Sequence, residues 1–129
     1  YTNATFIRYN DGRNDYRGKR LPYAPSNTLF GELTWRATPL SFSGVTPSLT
    51  ATARCVGDIW WNDANTQRQK FYCLPGLSLD LRAEHWNLRV WANNLTGTRH
   101  DVFYFVSMGN AFVQRGLPLT CGATLRLTI

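Results

Sequence analysis

No run of about 18 apolar residues occurs in the 129-residue chain, which excludes a transmembrane helix. Charge is scarce: 17% of residues are charged and 43% are hydrophobic, so a disordered tail or a charge-patterned coiled coil is excluded too. No segment reads as a helix, because ten glycines and six prolines interrupt every long stretch. Histidine occurs only twice, and no serine or cysteine nucleophile motif or telling carboxylate pair accompanies it. Neither an enzyme nor a cofactor is therefore expected, and His100-Asp101 reads as part of a loop. Three cysteines, Cys55, Cys73 and Cys121, stand far apart with no CxxC pair. Zinc needs closer ligands and a secreted disulfide scaffold an even, denser set, so buried or membrane-facing thiols are expected. A Cys55–Cys73 bridge across one hairpin is the alternative. Asp58, Asp63 and Asn65 offer oxygen ligands but lack the spacing and closing Glu of a calcium loop, so no metal site is expected.

What is present favours β-structure. One domain, 1–129, suits the length, and aromatics make up 14% of the residues, with five Trp. A β-barrel membrane protein escapes the helix exclusion, since its strands alternate and never look hydrophobic overall. The net charge of +6 comes mostly from scattered arginines, and Arg17-Gly18-Lys19-Arg20 reads as a solvated loop, so no nucleic-acid partner is expected. Asn3-Ala4-Thr5 and Asn94-Leu95-Thr96 fit the N-glycosylation pattern, which is common by chance. The start, Tyr1-Thr2-Asn3, has no initiator Met, basic n-region or apolar h-region, as expected of a processed chain or a piece of a longer one.

Alternation dominates the chain. From Thr28 to Arg36, Leu29, Gly31, Leu33 and Trp35 oppose Thr28, Phe30, Glu32 and Thr34. From Leu49 to Gly57, Leu49, Ala51, Ala53 and Cys55 oppose Thr50, Thr52 and Arg54. Leu77, Leu79 and Leu81 oppose Ser78, Asp80 and Arg82, and Trp86, Leu88, Val90 and Ala92 oppose Asn87, Arg89, Trp91 and Asn93. The last strand sets Cys121, Ala123, Leu125, Leu127 and Ile129 against Thr120, Gly122, Thr124, Arg126 and Thr128. With a weaker opening strand at Ala4–Tyr9, an all-β antiparallel meander of about six strands is expected. Every charge within these strands falls on the polar side. Connections alternate long and short: Asn10–Asn27, Asp58–Lys70 and Asn94–Gly116 are long, Ala37–Ser48 and Glu84-His85 shorter. Trp35 and Trp86 sit near short turns, while Trp60, Trp61, Phe71, Tyr72, Phe103, Tyr104 and Phe105 gather near the long connections, as two interfacial girdles would.

Particular strings carry a resemblance. Leu21-Pro22-Tyr23-Ala24-Pro25-Ser26-Asn27-Thr28-Leu29 resembles the entry into a late strand of TonB-dependent outer-membrane receptors. Gly57-Asp58-Ile59-Trp60-Trp61-Asn62-Asp63-Ala64-Asn65-Thr66, then Gln69 and Tyr72, is similar to a loop of that family. Val90-Trp91-Ala92-Asn93-Asn94-Leu95-Thr96 resembles its strand end, and Phe105–Asn110 with Val113–Pro118 resembles the approach to its final strand. Leu119 stands where the family usually has Arg, and Ile129 where many members end in Phe. The family has a plug domain and a barrel of about 22 strands, which 129 residues do not hold.

The resemblance therefore implies the C-terminal strands of such a receptor, in a bacterial outer membrane. Their role would be energised uptake of a scarce nutrient such as a ferric chelate, a cobalamin-like ligand or a glycan. The implied partners are the rest of the barrel, the plug, outer-membrane lipid and, through the missing N-terminal part, the TonB complex. It also implies a ligand path lined by Trp60, Trp61, Asn62 and Asn65 in one loop and Tyr104, Asn110 and Gln114 in another; loop stabilisation is the competing role for each. Standing alone, the chain is expected to associate with a second copy. Two other readings fit the alternation: a soluble β-barrel or sandwich binding a small ligand, and a surface β-module acting through protein contacts.

Overall fold

The computed structural model describes residues 2–38 and 44–128. Among these there is no helix, and nine strands follow in order: β1 (Thr28–Arg36), β2 (Thr46–Val56), β3 (Ile59–Trp60), β4 (Arg68–Gln69), β5 (Tyr72–Arg82), β6 (Trp86–Asn93), β7 (Asp101–Ser107), β8 (Asn110–Arg115) and β9 (Thr120–Leu127). Five strands form one sheet in the order β1-β2-β5-β6-β9. Each neighbour is the next strand along the chain once the small hairpins β3–β4 and β7–β8 are set aside. This is an all-β meander. The described pairings β5–β6, β6–β9, β3–β4 and β7–β8 are all antiparallel.

Two sequence expectations need correction. Ala4–Tyr9 is not a strand: Thr5 makes an isolated bridge to Arg20, Asn10 just beyond it makes another to Asp15, and Ala4, Phe6 and Tyr9 share scattered backbone bonds with Leu21, Gly18, Lys19 and Tyr16. Asp11 and Asp15 take nearby backbone N–H groups with their side chains, which competes with a regular ladder. The long connections after β2 and β6 are not structureless, since each contains a two-stranded hairpin. Between β7 and β8, Met108 and Gly109 both have positive φ, 50° and 76°. That pair is the turn whose twist suits a tight hairpin, and glycine adopts it without steric cost. Part of the connection between β1 and β2 lies outside the described residues.

Register turns alternation into two faces. Leu79 pairs with Val90 and Val90 with Ala123; Leu81 pairs with Leu88 and Leu88 with Leu125. On the other side Asp80–Arg89–Thr124 and Arg82–Asn87–Arg126 form the matching rows. The polar face continues onto β1 and β2, where the Thr34 and Thr50 hydroxyls are hydrogen-bonded at 3.0 Å. Trp91 lies over Gly122, where an added Cβ would stand 2.7 Å from the indole, so only glycine leaves room for the ring.

Along β2 and much of β5 burial runs opposite to hydropathy. Along β2 and β5, Leu49, Leu77 and Leu79 are exposed, whereas Thr50, Thr52, Ser78 and Asp80 are half-buried. Leu33 is 75% exposed and Leu127 69%. Val56 and Trp61 are the buried hydrophobic residues among those described. An ordinary water-soluble sheet turns its leucines inward. Here Leu33, Leu49, Leu77, Leu79, Leu125 and Leu127 are turned outward, and Leu81 and Leu88 are half-buried.

The chain divides into two compact units, with division points inside β1, β2 and β5. One comprises the residues up to Leu29, Cys55–Cys73 and Arg99–Gly116; the other comprises Phe30–Arg54, Leu74–Thr98 and the residues from Leu117 onward. Within the first, Cys55 and Cys73 form a disulfide, which overturns the expectation of free thiols for this pair. Their strands are neighbours in the sheet, and 18 positions separate them in sequence. Cys121, in the second unit, is free and exposed.

Candidate functional site

The first unit holds all seven residues that the resemblance marks for a ligand path. Their surroundings divide them. The Asn62 Oδ1 accepts hydrogen bonds from the Thr66 and Gln67 backbone N–H groups at 2.9 and 3.2 Å, and its Nδ2 donates to the Thr66 hydroxyl. Asn65 has φ of 53°, donates to the Arg20 and Asn62 carbonyls, and accepts the Arg20 N–H at 2.7 Å. Both amides thus tie the loop between β3 and β4 to itself and to Arg20. Trp60 is half-buried with the Arg68 guanidinium 5.5 Å from its ring centroid, and its carbonyl accepts the Tyr23 N–H. Trp61 is buried.

From Trp61 a series of rings runs outward. Tyr23 meets Trp61 edge-on at 5.5 Å and stacks on Phe103 at 5.7 Å; Phe103 adjoins Phe105, and Phe105 stacks on Phe112 at 5.0 Å. Tyr23, Phe103, Phe105 and Phe112 all remain partly exposed. Register places Gln114 opposite Phe103 and Asn110 opposite Ser107, so both amides flank this aromatic strip on the same hairpin face. Tyr104 lies on the opposite face beside Val113, and its carbonyl accepts the Tyr23 hydroxyl at 2.6 Å. Aromatic faces bordered by amides suit a ligand that is part apolar and part hydrogen-bonding. Sequence reading missed Tyr23 and Phe112 as members of this strip. For Phe112 the available signal was the aromatic run Phe103-Tyr104-Phe105, which reads as a strand in need of a partner but was obscured because it lies in a long connection.

Other marked residues prove structural. His100 is buried and stacks on Tyr72 at 4.5 Å, and Asp101 opens β7, so the pair is not a plain loop. Asn94 of the glycosylation pattern is buried, and its amide engages Thr98 and the Leu117 carbonyl. Asp58 accepts the Phe71 N–H at 2.8 Å and pairs with Arg68 at 3.1 Å. Among the described residues no group of three or more His, Cys, Asp or Glu side chains gathers as a metal site.

At the tip of the opening segment, Asp11 accepts N–H bonds from Asn14 and Arg13 and the Tyr16 hydroxyl, in that order of effect. These hold its carboxyl below the usual carboxylate range. Asp15 is lowered too, first by the Arg17 N–H and then by its guanidinium. The bond to Asp11 pushes the Tyr16 phenol upward.

The second unit carries hollows along its polar face. Asp80, Arg82, Asn87, Arg89, Thr124 and Arg126 line one of about 250 Å³. An adjoining hollow is bordered by Glu32, Thr34, Arg36 and the β2 hydroxyls of Thr46, Ser48 and Thr50. Arg89 Nε donates to Asp80 at 2.7 Å, and the Asp80 side chain is 15% exposed.

Comparison with known proteins agrees with this geometry at the level of fold. No protein-family model matches the chain, and no curated protein matches its sequence significantly. Among solved structures, the ferric yersiniabactin uptake receptor FyuA from Yersinia pestis superimposes with a TM-score of 0.74 at 24% identity. The match covers 87% of this chain and 17% of the receptor, so the chain spans about a sixth of that protein's length. In fold, the chain resembles a segment of that receptor, an all-β stretch of antiparallel strands.

Proposed function

We propose that this chain is a stretch of wall from a TonB-dependent receptor in a bacterial outer membrane, serving energised uptake of a scarce nutrient. The observation that carries the reading is the inverted burial along β2 and β5: Leu49, Leu77 and Leu79 are exposed, while Thr50, Thr52, Ser78 and Asp80 are half-buried. Lipid rewards that arrangement and water penalises it. The similarity to a ferric chelate receptor supports the transport role. In this reading the short turns face the periplasm and the hairpin-bearing excursions face outward. Trp60, Trp61, Asn110 and Gln114 line the ligand path with the aromatic strip, while Asn62 and Asn65 hold the loop that presents the tryptophans and Tyr104, on the other hairpin face, anchors Tyr23 through its carbonyl. A ferric chelate, a cobalamin-like molecule or a glycan would each use such rings and amides. The rest of the barrel, a plug and the TonB complex complete the working receptor.

Site-directed nitroxide labels test the reading. In a Cys121→Ser background reconstituted in lipid bilayers, labels at Leu79→Cys and Leu125→Cys should be relaxed by lipid-soluble oxygen. Labels at Ser78→Cys and Thr124→Cys should instead respond to a water-soluble nickel chelate. Equal access of the water-soluble reagent to both pairs would overturn the membrane reading.

A further inference from the structure

We propose that the polar face of the sheet carries an oxyanion site, formed by Arg82 and Arg126 on either side of Asn87, for a small polyvalent anion of the polycarboxylate or phosphate class. The three residues share one cross-strand row, since Arg82 pairs with Asn87 and Asn87 with Arg126. Neighbouring strands lie roughly 4.8 Å apart, so the two arginine backbones stand about 10 Å from each other with an amide donor between them. All three line the same hollow. Its volume of about 250 Å³ admits a small anion and leaves little room for a folded surface.

Charge accounting singles out this row. The hollow has three guanidiniums and one carboxylate, and that carboxylate, Asp80, is taken by Arg89 in the next row. Among the described residues, neither Arg82 nor Arg126 has an ion-pair partner. Two like charges held on one side of a sheet repel, and a bound anion relieves that repulsion. Guanidinium forks match the paired oxygens of carboxylate and phosphate, and Thr124, which also lines the hollow, carries a hydroxyl donor. The site does not depend on the receptor reading, because it needs only the register of β5, β6 and β9.

Titration of the 129-residue chain in zwitterionic detergent at low ionic strength tests it, with citrate and phosphate as probes and chloride as control. Saturable binding is expected, weakened roughly fivefold or more by Arg82→Gln and by Arg126→Gln. Asp80→Asn frees Arg89 and should tighten binding, whereas Arg54→Gln, on the same face outside the hollow, should leave it unchanged. The gain in Asp80→Asn guards against losses that merely report misfolding. No saturable binding, binding undiminished in both glutamine variants, or binding to an acidic peptide but to neither small anion would each overturn the proposal.

Discussion

At Asn65 a side chain does two jobs, tolerating a φ of 53° and bridging to both backbone groups of Arg20. Asn65→Gly should keep the first and lose the second, while Asn65→Ala loses both. The alanine variant is therefore expected to be the less stable by about 1 kcal/mol, read as a lower thermal midpoint or faster proteolytic nicking of the 61–67 loop. At the tip of the opening segment, the lowered carboxyls of Asp11 and Asp15 give a pH dependence of known sign. Each binds its proton less readily folded than unfolded, so its contacts are complete at neutral pH. They are lost as pH falls below the usual carboxylate range and through the lowered values. Amide protection at Asn14 and Arg17, measured relative to the intrinsic exchange rate at each pH, should fall over that acid window, and unchanged protection would show that these bonds do not hold the tip. Asn62 and Asn65 carried two readings in the sequence, ligand contact and loop stabilisation; the structure gives both amides loop ties, fixed by turn geometry that spacing does not reveal. Tyr23 gave no signal at all: its place in the ring series depends on backbone at φ of 60°.

At the scale of strands, alternation located every member of the sheet, and register then confirmed that residues two apart share a face. The hairpins β3–β4 and β7–β8 were less legible, since β3 and β4 have two residues each and β7 is apolar on both faces. The disulfide was visible only as a minority reading, because three widely spaced cysteines do not declare which two meet. The faces themselves make a sharp prediction. Leu79→Arg or Leu125→Arg should cripple membrane assembly, at a cost of roughly 2–4 kcal/mol near the bilayer midplane. Ser78→Arg or Thr124→Arg, on the polar face, should be tolerated much better. Folding yield in lipid vesicles measures both pairs, and equal damage would count against a lipid-facing leucine stripe.

For the whole molecule, the sheet order leaves β1 and β9 each with one unpaired edge. Free donors and acceptors along these edges are templates for another strand. Five strands also fall short of the roughly eight needed for a small membrane barrel. The isolated chain is accordingly expected to self-associate, through its edges or its leucine face, and sedimentation in mild detergent should show dimers or larger species. A stable monomer without detergent would bring the soluble ligand-binding reading forward.

The bridge between Cys55 and Cys73 encloses Trp60, Trp61 and both strands of the first hairpin. Closing a loop of this size removes about 3 kcal/mol of freedom from the unfolded chain. It also imposes a chronology. Three cysteines allow three single pairings, and two of those would trap β9 against the wrong neighbour. Oxidation must therefore distinguish an early hairpin partner from a latecomer near the end of the chain, before a bilayer hides the thiols. Cys121→Ser should raise the fraction of correctly bridged chain in oxidative refolding, measured by alkylation and peptide mapping. The exposed thiol on β9 thus makes the tempo of oxidation, as much as the final contacts, a determinant of how many chains reach the sheet described above.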